Sequence, residues 1–288
     1  MTLPVSGPIS LSAVNTELGY SSNSQISLNN ATVRSLFNKP SGMIAMSDGY
    51  GKSLNFIFND ILSSDVTYYN LKAEAIAAGW DGIVPLVATL TIQPGVVISS
   101  DNINYAAFYT GVGFPSGTAL TLINHGYICG MGGRGGWMGD PKGPDRDIYY
   151  VEHGGVALWA DAQISINNTG VIAGGGGGGG GTGYYFGNFG IARQGASGGC
   201  GRSGRVNAVH IYNVSLNEPR YDMDGTFDAP GNGAAIYYGA PYSGAGGQWG
   251  QPGVASSNGH PPGAAGVAVG GNSNITWLDV GQRFGPIT

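Results

Sequence analysis

The chain has 288 residues, a formal net charge of −5 and only 10% charged residues, against roughly 25% in an ordinary globular protein. It carries no cluster of Lys and Arg, which argues against a surface that binds nucleic-acid phosphates. No apolar run approaches the roughly 18 residues of a membrane-spanning helix, and the first residues lack the basic and apolar regions of a signal peptide. We therefore expect a soluble protein.

Residues 1–53 contain a degenerate triplet repeat. Three isoleucines mark its copies, at spacings of 17 and 18 residues: Ile9, Ile26 and Ile44. Each copy predicts a short strand followed by a helix N-cap, and the three caps are Ser12, Asn29 and Ser47. Helices are predicted after the first two caps, with these apolar faces: Val14, Leu18, Val33, Leu36 and Phe37. A module with so little core favours docking onto another protein.

Residues 54–128 read as an α+β collar segment. The sequence "YNLKAEAIAAGW" (69–80) predicts a helix that ends near Gly79, with Ala73, Ile76 and Ala77 packed inward. Strand-like runs follow it, among them "VPLVATLTI" and "GVVISS".

A second repeat begins at the end of this segment. "LTLINHGYICG" (120–130) aligns with "ISINNTGVIAG" (164–174), and "ITWLDVGQRFG" (275–285) fits the same frame more weakly. Each copy predicts a strand, a glycine-centred turn and a second extended piece. In the first two copies a glycine run follows at once.

The sequence has two cysteines, Cys129 at the end of the first copy and Cys200. They cannot form a disulfide framework, and we expect both to be small buried side chains.

Glycine dominates the remainder, residues 129–288, and 42 of the 54 glycines lie there, eight of them consecutive from Gly174 to Gly181. Glycines recur at every third position in four runs: Gly130, Gly133, Gly136 and Gly139; Gly174, Gly177, Gly180 and Gly183; Gly195, Gly198, Gly201 and Gly204; Gly244, Gly247, Gly250 and Gly253. A period of three matches the polyproline II conformation, and glycine lets neighbouring backbones approach closely. Disordered linkers and collagen remain as less favoured alternatives.

The sequence thus predicts a mostly irregular and β fold. Small α+β N-terminal modules are followed by a packed polyglycine II helix sandwich with short β-strands. Five segments of different composition connect the glycine runs: 140–153, 184–194, 212–230, 237–243 and 254–264. Their Tyr, Trp, Asn and Arg side chains are similar in chemistry to antibody paratopes.

The glycine runs, the strand repeat "ISINNTGVIAGGGGGGGG", the ending "NITWLDVGQRFGPI" and the opening "LPVSGPISLSAVNTELG" resemble bacteriophage tail-fibre adhesins. The resemblance implies a virion component that is assembled in the host cytoplasm and acts at the host surface. Its glycine-rich domain would bind an outer-membrane protein or lipopolysaccharide, and residues 1–53 would bind other phage tail proteins. A homotrimer is left open. Carried over to this chain, the receptor-contacting loop residues are Trp137, Tyr149, Tyr150, Tyr184, Tyr185, Phe186, Tyr221, Phe227, Tyr237, Tyr238, Tyr242 and Trp249.

No sequence pattern indicates catalysis, a cofactor or a metal. "DMDGTFD" (222–228) resembles a calcium-binding loop, but its glycine stands at the fourth position instead of the sixth. Two functions outside adhesion remain open. One is an ice-binding polyglycine protein. The other is a surface-polysaccharide depolymerase that would use paired carboxylates such as Asp222 and Asp228.

Overall fold

The computed structural model consists mostly of strands, with few helices. It describes residues 3–138, 148–149, 151–185, 191–193, 227, 229–231, 244–257 and 260–288. Within these ranges, no helix is both long and apolar enough to cross a bilayer. The chain divides into two compact units. The first comprises Met1–Phe58, Ala75–Ala88 and Gly113–Leu120. The second comprises Asn59–Glu74, Thr89–Val112 and Thr121–Thr288.

Two short helices and a 3₁₀ helix, Met46–Gly49, organise the first unit. The helices are α1 (Leu11–Glu17) and α2 (Ala31–Leu36). Their apolar faces enclose one small core: Leu3, Ile9, Val14, Val33, Leu36 and Phe37. This core confirms the predicted buried faces, with Leu18 packed at its edge.

The helix starts in the first unit differ from the predicted ones by one or two residues. Ser10, and not Ser12, caps α1, because its extended backbone lets the Ser10 hydroxyl accept from the Ala13 N–H at 3.0 Å. The other two caps are Asn30 and Ala45 in place of Asn29 and Ser47.

A third helix, α3, spans Leu71–Ala77 and is shorter than the predicted 69–80. The predicted inward face was wrong. Leu71 and Ala75 are fully buried, whereas Ile76 is 49% exposed. Leu71 and Ala75 stand four residues apart and so share one helix face, which leaves Ala73, Ile76 and Ala77 exposed.

The described residues form eighteen strands, numbered in chain order. They are β1 (Phe56–Leu62), β2 (Val66–Thr67), β3 (Tyr69–Asn70), β4 (Leu86–Ile92), β5 (Val97–Ser99), β6 (Phe108–Tyr109), β7 (Ala119–Asn124), β8 (Tyr127–Cys129), β9 (Trp137–Met138), β10 (Ile148–Tyr149), β11 (Leu158–Trp159), β12 (Ile164–Asn168), β13 (Val171–Ala173), β14 (Thr182–Tyr185), β15 (Ile191–Arg193), β16 (Val269–Gly270), β17 (Ile275–Asp279) and β18 (Gln282–Phe284). A second 3₁₀ helix, Asn272–Asn274, precedes β17.

Three sheets account for fourteen of these strands. Their orders are β1-β4-β7-β12-β17, β2-β5-β8-β13-β18 and β3-β6-β11-β16. Consecutive strands of the chain enter consecutive sheets, so each turn of the chain adds a new layer to the stack. The strand pairs with defined register in these sheets are parallel.

The strand register confirms the repeat seen in the sequence. Leu122 lies opposite Ile166, and Ile128 opposite Ile172, which is the spacing at which Gly126 aligns with Gly170. The weaker third copy also lies in its predicted frame, because Ile164 pairs with Ile275 and Ile172 with Arg283. Stacking buries the aliphatic side chains that recur at these positions, and their burial stabilises the stack.

Buried asparagines connect successive layers at the turn that precedes each repeat glycine. The Asn124 amide donates to Asn168 Oδ1 at 2.8 Å, and the Asn168 amide donates to the Val280 carbonyl at 2.9 Å. Asn124 and Asn168 are both fully buried. Burial of these amides is compensated because they are hydrogen-bonded from layer to layer.

Two long excursions leave this stack, both between the second and the third sheet. One runs from β8 to β11 and the other from β13 to β16. Both begin with a glycine segment, and the glycines of residues 174–181 are buried. A backbone buried in this way must find hydrogen-bond partners outside its own segment.

The carbonyls of Gly174–Gly180 accept backbone hydrogen bonds of 2.7–2.9 Å. The same neighbouring segment donates to every third carbonyl along the run. The pairs, acceptor first, are Gly174 with Gly250, Gly177 with Gly247, Gly180 with Gly244, Gly175 with Gly266, Gly178 with Gly263, Gly176 with Gly133 and Gly179 with Gly136. Among the described residues, the hydrogen-bond partners of the octaglycine lie at Phe284 and in these segments: 130–136, 152–155, 244–250, 251–254 and 263–266.

Two of the predicted glycine runs do not form one continuous glycine segment. The run from Gly244 to Gly253 reverses at Gly250, whose φ of +60° lies in the left-handed region that favours glycine. Gly183 lies in strand β14. Further members of the predicted runs lie outside the described residues: Gly139, Gly195, Gly198, Gly201 and Gly204.

No side chain fits along Gly174–Gly180. At each position from Gly174 to Gly180, an added Cβ would lie under 3.0 Å from the backbone of another segment. Close approach by several segments therefore requires glycine along the whole central run.

We expect Asn168→Ala to lower the free energy of unfolding by about 2–3 kcal/mol, because it removes the side-chain hydrogen bonds of Asn168 to Asn124, Val280 and Gln282, and the Asn124 amide is fully buried. The measurement is an unfolding curve in urea, monitored by tryptophan fluorescence. The matched control is Asn167→Ala, a half-buried neighbour on the same strand, with an expected change within about 0.5 kcal/mol. Equal effects of the two substitutions would contradict a stabilising asparagine ladder.

We expect Gly178→Ala to lower stability by about 3 kcal/mol, at the upper end for overpacking, because its Cβ would overlap the Arg134 carbonyl. Gly136→Ala is the control, since its nearest neighbouring atom would lie 3.1 Å from the new Cβ; the expected loss is about 1 kcal/mol. Calorimetric unfolding of both variants measures the difference. A Gly178→Ala protein as stable as the parent chain would show that the central segment is not tightly packed.

Candidate functional site

One candidate site lies where the glycine segments end. Segments 130–136 and 174–181 run in the same direction, since Gly133 and Gly136 donate to the carbonyls of Gly176 and Gly179. Each continues directly into a short strand, β9 or β14. β9 pairs with β10 and β14 with β15, both antiparallel, and β14 and β15 both contact β9.

This arrangement brings four of the predicted receptor-binding positions to the same end of the glycine segments. Trp137 lies opposite Tyr149 in the β9–β10 pair. Tyr184 and Tyr185 lie on the neighbouring strand β14, where Tyr185 pairs with Ile191. A receptor role for these positions stays a prediction.

Two other predicted positions, Phe227 and Trp249, belong to an aromatic cluster. Their ring centroids are 5.0 Å apart in an edge-on arrangement. Phe227 also contacts Tyr127 at 5.3 Å, and Trp249 contacts Phe284 at 6.1 Å. Both rings are half-buried and pack against residues of β8 and β18.

Several positions from the sequence analysis lie outside the described residues, and their roles stay predictions. They are Tyr150, Phe186, Cys200, Tyr221, Asp222, Asp228, Tyr237, Tyr238 and Tyr242. In the part of the chain that the structure does describe, no three His, Cys, Asp or Glu side chains lie together in a metal-binding group. Cys129 is buried, as expected.

A second candidate site, which the sequence analysis missed, is an aromatic cleft on the third sheet. The cleft has a volume of about 600 Å³ and lies entirely within the second unit. Its lining is rich in aromatic and polar side chains: Tyr68, Tyr69, Asn70, Asn104, Tyr105, Tyr109, Trp159 and Asp161.

Strand register builds the floor of the aromatic cleft. Asn70, Tyr109, Trp159 and Gly270 lie opposite one another on four adjacent parallel strands. The preceding residue on each strand is buried: Tyr69, Phe108, Leu158 and Val269. Side chains alternate between the two faces of a strand, so the residues that follow these buried ones share the opposite face.

Asp161 fixes the orientation of the two central rings. Its Oδ1 accepts from the Trp159 indole N–H at 2.8 Å, and its Oδ2 accepts from the Tyr109 hydroxyl at 2.9 Å. The Asp161 backbone N–H donates to the hydroxyl of the buried Thr110 at 3.0 Å. Burial, followed by the Asp161 carboxylate, raises the pKa of Tyr109, so its hydroxyl stays protonated and continues to donate.

The Trp159 ring lies directly over Gly270. A Cβ on Gly270 would overlap the six-membered part of the indole, so the ring can occupy this position only because the opposite residue is glycine. Trp159 nevertheless remains 37% exposed. The indole therefore presents a fixed, partly exposed face to the cleft.

Tyr68 and Tyr105 form the wall of the cleft. Their rings meet edge-on at 5.6 Å, and Tyr105 is 61% exposed. Tyr68 has a φ of +57°, in the left-handed region, which costs a non-glycine residue about 1–3 kcal/mol. Its N–H donates to the Ser99 carbonyl at 3.0 Å. Burial first, and then the neighbouring Asp101 carboxylate, raise the pKa of Tyr68.

Tyr69 supports the cleft from below. Its ring stacks on Phe108 at 6.1 Å, and its hydroxyl donates to Asp60 at 2.7 Å. Burial, and then the Asp60 carboxylate, raise the pKa of this hydroxyl far above its usual range.

A sequence signal for the cleft exists in the pairs "YN", "FY" and "LW". Each pair is an inward apolar or aromatic residue followed by an outward polar or aromatic one. Their spacing is irregular, which hides the register.

Comparisons with known proteins agree with this architecture. A family model described as phage tail fibre adhesin Gp38 matches residues 57–288, more than half of the chain. The receptor-recognizing protein gp38 of Salmonella phage S16 is 37% identical over 168 residues, which are 58% of this chain and 57% of that protein. The alignment therefore spans less than two thirds of the relative. The crystal structure of the gp37-gp38 adhesin tip complex of the bacteriophage S16 long tail fiber contains a chain that matches with a TM-score of 0.60 and 27% identity, over 99% of this chain and 100% of that one. The chain belongs to the Gp38 family of phage tail fibre adhesins.

Proposed function

We propose that this protein is a non-enzymatic adhesin of a phage tail. It attaches the virion to its host by recognising an outer-membrane protein or lipopolysaccharide. The observation that carries the proposal is the hydrogen-bonded glycine array, which ends in strands β9 and β14 with their aromatic residues. The name of the S16 relative, a receptor-recognizing protein, supports the same function.

The scaffold of the adhesin is a set of packed polyglycine II helices. Polyproline II geometry has three residues per turn and no internal hydrogen bonds. The partners of Gly174–Gly180 recur every third residue and belong to neighbouring segments, as this geometry requires. Backbone contacts on several sides hold each segment in place, so the scaffold keeps its shape without a conventional side-chain core.

The recognition surface consists of the five connecting segments between these helices. Trp137, Tyr149, Tyr184 and Tyr185 support this assignment, because their positions gather at one end of the array. Tyr and Trp are effective contact residues, since they bury a large rigid area at a small loss of conformational entropy. The remaining positions of the predicted set belong to the same five segments, except Trp249, which lies within the glycine run 244–253.

Residues 1–53 attach the adhesin to another phage tail protein, residues 54–128 form a collar, and residues 129–288 form the receptor-binding domain. The relative's crystal structure is a gp37-gp38 complex, which supports attachment to a second tail protein. Exposed apolar side chains in the module support a docking surface, with Met43 at 91% and Val5 at 79% exposure. The adhesin functions in the virion, at the host cell surface.

The test exchanges segments 184–194 and 212–230 for those of a family member with another host range. We expect the recombinant phage to adsorb to the donor's host, because both segments belong to the proposed recognition surface. Adsorption to both hosts is the measurement. Exchange of the surface turn 113–117 from the same donor is the control and leaves host range unchanged. Unaltered adsorption after both loop exchanges would contradict the proposal.

A further inference from the structure

We propose that the aromatic cleft on the third sheet is a saccharide-binding site for a neutral hexose or N-acetylhexosamine unit. Its lining belongs to strands β3, β6 and β11 and to the turns beside them. It lies outside the connecting segments of the glycine array. The inference therefore goes beyond the proposed function and would give the adhesin a second, independent contact with a glycan-covered surface.

The floor of the cleft suits a sugar ring. Trp159 and Tyr109 lie opposite each other on adjacent strands, which are about 4.8 Å apart. Their neighbouring rings can cover one apolar C–H face of a pyranose. The volume of about 600 Å³ falls within the roughly 300–1,000 Å³ of small-molecule sites. Tyr68 and Tyr105 add a second aromatic surface at the side.

The cleft is organised before a ligand arrives. Asp161 holds the Trp159 indole and the Tyr109 hydroxyl at 2.8 and 2.9 Å, and Gly270 supports the indole from below. Rings fixed in this way lose little entropy on binding. A carboxylate has about four acceptor positions, and two are used here, so Asp161 can still accept hydrogen bonds from sugar hydroxyls.

The negative charge around the cleft limits which sugars it can bind. Asp161 lines the cleft, and Asp60 and Asp101 lie behind the hydroxyls of Tyr69 and Tyr68. Among the described residues that line the cleft, none is Lys or Arg. Phosphorylated or acidic sugars would meet carboxylates without a compensating cation. The cleft therefore favours neutral sugar units.

A basic side chain of a protein partner is the competing ligand, since cations also bind aromatic faces. The size of the aromatic surface favours the sugar, because the rings of Tyr68, Tyr105, Tyr109 and Trp159 offer a larger area than one ammonium group covers.

The test measures binding of neutral trisaccharides to the full chain by saturation-transfer NMR and by titration. The trisaccharides are those of glucose, galactose and N-acetylglucosamine. Glucuronic acid, glucose 6-phosphate and trilysine are the charged probes. We expect at least one neutral trisaccharide to bind and the charged probes to bind at least tenfold more weakly. Binding of trilysine alone would overturn the proposal in favour of a protein partner, and no binding of any trisaccharide would overturn it outright.

Variants locate the binding in the cleft. Trp159→Ala and Gly270→Ala should each weaken binding of the trisaccharide at least tenfold, the first by removing the indole and the second by displacing it. Trp277→Ala is the matched control, because its ring packs against Arg283 and does not line the cleft; its affinity should stay within twofold. If either main variant fails to fold, Tyr105→Ala removes an exposed ring and should weaken binding at least threefold. Unchanged affinity in the folded variants would overturn the proposal.

The same variants separate this inference from the proposed function. A phage with Trp159→Ala that loses saccharide binding but still changes host range after loop exchange supports both. Loss of loop-directed host range with intact saccharide binding contradicts only the proposed function.

Discussion

Lateral hydrogen bonding between buried backbones is the constraint on which the glycine-rich half depends. A segment that forms no internal hydrogen bonds must satisfy its N–H and C=O groups through its neighbours. The carbonyls of Gly174–Gly180 all accept hydrogen bonds from donors that recur every third residue, and five of the seven N–H groups donate to other segments. Ordering such a segment costs roughly 1–2 kcal/mol of backbone entropy per residue. Close packing on several sides and the hydrogen bonds together offset that cost, and both require the absence of side chains.

The parallel strand stack supplies what the array cannot supply for itself, namely a defined starting position for each glycine segment. Residues 130–136 follow β8, and residues 174–181 follow β13. β8 and β13 pair in register, with Cys129 opposite Ala173. The next hydrogen bond, from Gly130 to the Ala173 carbonyl at 2.9 Å, continues that register into the glycine segments. The array therefore inherits its alignment from conventional strand pairing.

The sequence predicts those parts of the fold that depend on periodicity. The alignment of "LTLINHGYICG" with "ISINNTGVIAG" has the same frame as the pairing of β7 with β12 and of β8 with β13. Buried faces at Val14, Val33 and Phe37 followed from helical spacing. The earlier layers of the stack were missed, because "IFNDIL" and "VATLTI" share no motif with the later copies, and parallel pairing depends on contacts distant in sequence.

The aromatic cleft could not be predicted because its residues come from strands of only two residues at irregular spacing. Trp159 and Tyr109 are 50 positions apart in the chain, and only the register of the third sheet places them side by side. The predicted receptor-binding positions present the opposite case. Composition identified aromatic connections, and the structure places Trp137, Tyr149, Tyr184 and Tyr185 at one end of the array. Phe227 and Trp249 instead pack against strand residues, which composition alone does not reveal.

The position of the two excursions has a consequence for how such a protein can change over evolutionary time. Each leaves the stack after the second sheet and rejoins it at the third, so neither interrupts the contacts between layers. Because the partners of the central segment recur every third residue, removing or adding three residues restores the same bonding pattern one turn further along. Insertions and deletions in multiples of three would thus extend or shorten the glycine segments while the layers of the strand stack stay intact.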